Sequence, residues 1–206
     1  MDFQGAKSFI VDKLRKELDP AYTYHCIGHT LDVHAATLSL VGMEGIPEEE
    51  ARLMEIAALY HDSGMLVKYV DHETASVGLA SRFLPEFGFN KEEITVISGL
   101  IMVTRLPQKA SSIAEQVICD ADLDYLGRED FFIHAFELQH EWNHFGIRKT
   151  NLASWLDIQI KFLSEHDYFT KSATLLRSRR KTENLNEIIS LWQQKNQKRP
   201  STKTSS

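Results

Sequence analysis

The sequence predicts an all-α protein, a single-domain bundle of about eight or nine helices. Three observations carry this expectation. Apolar residues recur at spacings of three and four along nearly the whole chain. No segment alternates apolar and polar residues as a half-buried strand would. Residues that start helices (Ser, Asp, Asn) and residues that stop them (Gly, Pro) punctuate the chain at helical intervals.

The elements follow in order. Phe3 to Leu18 places Phe3, Ala6, Ile10, Leu14 and Leu18 on one face, and Pro20 ends the run. Tyr24 to Val41 is the second helix, with Ile27, Leu31, Leu38 and Val41 as its expected apolar stripe. Pro47 to Tyr60 opens with proline and three glutamates, which suit a helix N-terminus. Asp71 is placed to cap a helix to about Phe87, and Asn90 one to about Thr104. Ser111 or Ser112 starts a helix running through Leu126. Glu129 to Phe145, Asn151 to Glu165 and Thr170 to Trp192 complete the set. Residues 1–194 make up the expected domain, and the polar, apolar-free residues 195–206 are expected to be disordered.

Composition narrows the function. At 206 residues and 43% hydrophobic, the chain can bury a substantial core. A formal net charge of -6 gives no general reason to bind nucleic acid or an anionic membrane, although a local cation can still hold a phosphate. The run Arg177 to Lys181, "RSRRK", is read as a solvated helix face. Cys26 and Cys119 form no CxxC motif, and a reducing, cytoplasmic setting is the expectation. No basic segment followed by an apolar run opens the chain, so no signal peptide is expected. The apolar stretch "ITVISGLIMV" is too short to span a bilayer. A homodimer is a fair expectation for a bundle of this size.

Three stretches could do chemistry. His25 and His29 in "YHCIGHT" are one helical turn apart, a spacing that suits shared ligation and also occurs by chance. In "ALYHDSG", His61 leaves the buried face of its helix and Asp62 follows it. An unpaired imidazole and carboxylate there would be costly, and a divalent cation removes that cost. In "CDADLDYLG", Asp120 and Asp124 share a helix face while Asp122 lies between Ile118 and Leu126, so Asp122 is the carboxylate expected to turn inward. Three solvated aspartates is the plainer alternative.

These motifs, in this order, resemble the HD-domain superfamily of metal-dependent phosphohydrolases. The resemblance runs from about Tyr22 to Phe132. It implies an HD-type bundle and one divalent ion held by His29, His61, Asp62 and Asp122. His29 is preferred to His25 because the family ligand usually stands second in an "HxxxH" context, and Asp122 to Asp120 because the family motif is most often "AD". Asp120 stays open. Many relatives hold a second metal through further histidines. His72 in "DHETAS" matches one of those, but "ITVISGLIMVTRLP" contains no histidine, which argues for a single metal.

The implied reaction is hydrolysis of a small phosphate ester, most plausibly a nucleotide and a monoester rather than a diester, by a metal-activated water. Asp62 or Asp120 would orient the water, and His25 would act as an acid or phosphate contact. Mixed nitrogen and oxygen ligands suit Mn, Co, Fe, Ni, Zn or Mg. His72, Lys68 and Arg105 are the candidate substrate contacts, and Tyr125 could stack on a base or pack in the core. A second hypothesis is an HD domain that keeps its metal but serves as a nucleotide-binding or signalling-partner module. A di-iron oxygenase needs more histidines than this chain offers.

Overall fold

The computed structural model describes residues 1–197, so the expected disordered tail lies mostly outside the described residues. Among the described residues there are nine α-helices and no strand. They are α1 (Phe3–Glu17), α2 (Ile27–Glu44), α3 (Glu48–Tyr60), α4 (His72–Phe83), α5 (Lys91–Val103), α6 (Ile113–Asp122), α7 (Phe131–His144), α8 (Leu152–Glu165) and α9 (Lys171–Gln197). Short 3-10 turns follow α3, α4 and α6. No described helix is long and apolar enough to cross a membrane.

Local chemistry sets most boundaries. Asn90, Ser112 and Asn151 each close a capping box, in which the side chain accepts from a first-turn amide and a first-turn side chain returns the bond. Gly45 ends α2 in the left-handed region, at φ 68°, as a helix C-terminus commonly requires. Asp71 does not cap α4 through a backbone amide. It sits at φ 62°, and its carboxylate instead accepts from Thr74 Oγ1.

Two hydrophobic cores form. The larger packs α1 to α6 around Ile10, Leu14, Met54, Ile97 and Val117. The smaller gathers α7, α8 and α9 around Leu126, Phe131, Leu156, Leu163 and Ile188. Asn184 of α9, fully buried, donates to the carbonyls of Leu126 and Arg128, tying the turn after α6 to the last helix. The N-terminal end of α2 and the C-terminal ends of α3 and α6 all open onto the seam between the two cores.

Helix α2 departs from the sequence expectation twice. It begins at Ile27 rather than Tyr24, so His25 lies in the lead-in segment and does not share a helix face with His29. The cause is tertiary: the amides of Tyr24 and His25 donate to Glu141 Oε2 of α7, at 2.9 and 3.0 Å. The buried face is also rotated. Leu31 and Leu38 are exposed, while His29, Thr30, Val33, Thr37, Leu40 and Val41 are buried. Burial of Thr37 is tolerated because its hydroxyl donates to the Val33 carbonyl, at 2.8 Å.

Candidate metal centre

The end of α3 delivers the first two residues. His61 terminates the helix at helical φ and ψ, and Asp62 follows at φ -104° as the chain enters a 3-10 turn. That turn lies against the start of α4. A Cβ on Gly64 would stand 1.9 Å from the His72 carbonyl oxygen, so only glycine allows the approach. The Gly64 amide donates to Ser76 Oγ at 2.7 Å, which fixes α4 against the turn and carries His72 to the cluster.

Four side chains from three helix ends meet there. His29 Nε2 lies 3.3 Å from His61 Nε2, and 3.4 Å from both Asp62 Oδ2 and Asp122 Oδ1. His61 Nε2 lies 3.2 Å from Asp62 Oδ2 and 3.4 Å from Asp122 Oδ1. The Ala58 carbonyl can only accept, so His61 Nδ1 donates to it at 2.7 Å, and Nε2 of the neutral ring turns a bare lone pair inward. Asp62 Oδ2 is buried with no hydrogen-bond partner.

This set fits a cation. Ligand atoms about 2.1 Å from a common ion stand about 3.0–3.4 Å apart at tetrahedral or octahedral angles. Two imidazoles and two carboxylates give mixed nitrogen and oxygen ligation and leave positions open for water and substrate. Electrostatics point the same way. Burial opposes charge on His61, yet Asp62 and Asp122 hold its pKa well above the ordinary value. Burial likewise opposes charge on His29, and the same two carboxylates raise it. The cluster thus demands positive charge, which protons or a metal can supply.

A surrounding layer fixes the four residues. Gln108 donates to Asp122 Oδ2 at 3.1 Å, leaving Oδ1 for the centre. His72 donates from Nδ1 to the Tyr69 carbonyl at 2.9 Å and faces Asp62 Oδ1 with Nε2, at 3.1 Å. Burial resists charge on His72, but Asp62 carries its pKa up to about 9. His25 Nδ1 contacts Glu141 Oε1 at 2.5 Å, and Tyr69 Oη donates to the same oxygen at 2.8 Å. Glu141 is fully buried. Burial works against its charge, yet His25, Tyr69 and the His25 amide hold its pKa below the ordinary value. Donor atoms of His25, Asp62 and His72 also lie within 4.8 Å of one another, beside the four-residue centre.

The centre opens into a cavity of about 320 Å³ between the two cores. His25, His29, Asp62, His72 and Asp122 line it together with Tyr69, Trp142, Ile147, Ile158 and Phe162. Arg105 is its one lysine or arginine. It pairs with Asp71, donates to Thr74 Oγ1 at 2.9 Å and reaches Glu73 Oε2 at 3.5 Å.

Three expected site residues lie elsewhere or serve otherwise. Asp120 faces away from the cavity and accepts from the amides of Phe169 and Thr170 and from Thr170 Oγ1, at 2.7 to 2.8 Å. It anchors the start of α9 and cannot orient a water at the centre. Lys68 lies outside the cavity and pairs with Asp71 at 2.8 Å on the exposed loop. Tyr125 does reach the cavity wall, but it is buried, stacked on Phe131 with centroids 6.2 Å apart and set edge-on to Tyr24. The third aspartate, Asp124, receives Arg177 through two bonds of 2.6 and 3.0 Å, so none of the three is solvated.

Glu141 and Gln159 were not singled out by sequence. Glu141 had a signal: it lies one turn beyond Leu138, on the face of α7 that also buries Phe131 and Ala135. Gln159 similarly follows Trp155 by one turn, on the buried face of α8.

No protein-family model matches the sequence, and no curated protein does. Among solved structures, the chain is similar to a crystal structure described as a predicted HD superfamily hydrolase from an uncultured Thermotogales bacterium. The superposition gives a TM-score of 0.57 at 20% identity, covering 93% of this chain and 89% of that one. The fold is therefore the all-α HD type. Within it, the ends of α2, α3 and α6 carry the residues that the HD resemblance picks out.

Proposed function

We propose that this protein is a metal-dependent phosphohydrolase acting on a small phosphate ester, a nucleotide foremost, and on monoesters in preference to diesters. One observation carries the reading: His29, His61, Asp62 and Asp122 aim donor atoms at a common point, and Asp62 Oδ2 is buried there without a partner. The neighbouring structure's description as a hydrolase supports it.

A divalent ion held by those four residues would supply Lewis acidity toward a phosphoryl oxygen and lower the pKa of a bound water. The chain's own residues do the remainder. Arg105, at the rim, offers a guanidinium fork to the outer phosphate oxygens. His72, its Nδ1–H committed to Tyr69, directs Nε2 toward Asp62 and the space where water enters. Glu141 takes the Nδ1–H of His25 and fixes its ring, so Nε2 is the atom that can pass a proton to the leaving oxygen. The apolar wall excludes bulk water, which strengthens each of these interactions.

The test pairs metal content by elemental mass spectrometry with phosphate release from a nucleotide panel under added Mn²⁺, Co²⁺ or Mg²⁺. About one ion per chain, with release abolished in Asp62→Ala, supports the proposal. Two ions would place the second at His25, Asp62 and His72. Bound metal without turnover on any substrate overturns the enzyme reading in favour of a ligand-binding HD module. No metal under any loading condition overturns the site itself.

A further inference from the structure

Gln159 is 3% exposed and lines the cavity from α8. Its carboxamide makes no hydrogen bond among the described residues, and Oε1 is fully buried without a partner. Leaving such a group unpaired costs about 1–3 kcal/mol, so a chain selected for stability alone would place an apolar residue here. Trp155, one turn earlier on α8, also has a buried indole N–H that lacks an acceptor. Were those two to pair, both amide protons of Gln159 would still be unused.

The surroundings define what the carboxamide meets. Tyr69, Trp142, Ile147, Ile158 and Phe162 offer aromatic and aliphatic surface and no charge. Aromatic faces of this kind receive flat rings by stacking. A carboxamide presents one acceptor beside two donors, complementary to a ring edge that carries a donor next to an acceptor. The cavity's charge sets a second limit. Arg105 is its one lysine or arginine and is already shared with Asp71 and Glu73. Asp62 and Asp122 would offset a divalent ion, so little positive charge is left over for a long phosphate chain.

We infer that Gln159 is a specificity-determining residue, which hydrogen-bonds the donor–acceptor edge of a planar heterocycle seated on the α7–α8 wall, as in the base of a nucleoside monophosphate. The inference rests on the phosphohydrolase reading for the placement of the phosphate alone. The ring subsite itself needs neither metal nor turnover.

The experiment measures binding of the four common ribonucleosides and of purine riboside, which lacks the exocyclic group of the purine edge, by calorimetry on the full chain. The wild-type protein, Gln159→Leu and Gln159→Met are compared, each with its Tm. At least one nucleoside should bind the wild-type protein, and purine riboside should bind at least tenfold more weakly than the preferred purine. Both variants should lose that preference and bind the preferred nucleoside about tenfold or more weakly, with Tm unchanged or raised. Loss of affinity without loss of stability is the signature of a residue kept for its ligand. No nucleoside binding overturns the inference. So does unchanged affinity in the variants, or a lowered Tm in both, which would make Gln159 a structural partner of Trp155. Because the ligands carry no scissile phosphate, a failed hydrolysis assay leaves this result readable, and the reverse holds too.

Discussion

His25 and Glu141 meet at 2.5 Å although they stand 116 positions apart in the chain. The same carboxylate accepts the amides of Tyr24 and His25 and the hydroxyl of Tyr69. One buried side chain thus sets where α2 begins, holds the loop before α4 and aims an imidazole at the cavity. Glu141→Gln keeps the shape and one acceptor oxygen but removes the charge. Phosphate release should fall about 10–100-fold with metal content unchanged. Glu141→Ala should also lower stability by about 1–3 kcal/mol, because it strands two amides. Urea denaturation measures the second effect, and wild-type turnover in the Gln variant would refute the first.

Gly64 leaves no room for a side chain. A Cβ there meets the His72 carbonyl at 1.9 Å and the Ser76 amide at 2.7 Å, and neither backbone can swing aside. Gly64→Ala should cost about 1–3 kcal/mol by overpacking. It should also weaken metal binding, because it pushes α4 away from the turn that carries Asp62. A soluble variant with wild-type Tm and metal content would contradict this.

Asp120 tests the separation of site from scaffold. It lies two residues from Asp122, yet its oxygens are taken by Phe169 and Thr170. Burial raises its pKa, the amides opposing. Asp120→Asn should destabilise the fold by about 1–3 kcal/mol through a mismatched donor, with metal content and turnover per folded molecule unchanged. Lost metal with an intact fold would return Asp120 to the centre.

His166 gives the fold a pH dependence away from the centre. Burial, reinforced by the Lys181 ammonium, lowers its pKa from 6.5 to about 4. The fold therefore favours the neutral ring, and the unfolded chain binds the extra proton. This contribution is complete above pH 6.5 and is lost as pH falls from there through about 4. In His166→Gln, stability should decline less steeply over that window. Parallel curves for the two proteins would show that the ring does not titrate as described.

Much of the fold was legible because it is written locally. Asn90, Ser112 and Asn151 announce their helices through residues three positions away. "YHDSG" announces an apolar helix that ends in a His-Asp pair and then turns on a glycine. What escaped depends on contacts distant in sequence. The start of α2 is set by Glu141, far along the chain, so helical periodicity extended the helix backward over His25. The buried face of α2 takes in His29 and Thr37, two polar residues, and leaves out Leu31 and Leu38, which hydrophobicity alone selects. Ile118 and Leu126 mark Asp122 as the inward carboxylate, but the tie of Asp120 to Phe169 and Thr170 comes from a distant stretch and leaves no local trace. Gln159 escaped because its spacing from Trp155 marks it as buried but not as unpartnered.

The seam between the two cores has an evolutionary consequence. Every residue of the four-donor cluster comes from α2, α6 and the end of α3, while the wall that would choose the organic group comes mainly from α7 and α8. Under the proposed function, reactivity and selectivity would thus be inherited on different stretches of chain. Substitutions at Trp142, Ile158, Gln159 and Phe162 can retune the guest while the donors stay in place, so descendants of one ancestor could diverge in diet without reinventing the reaction.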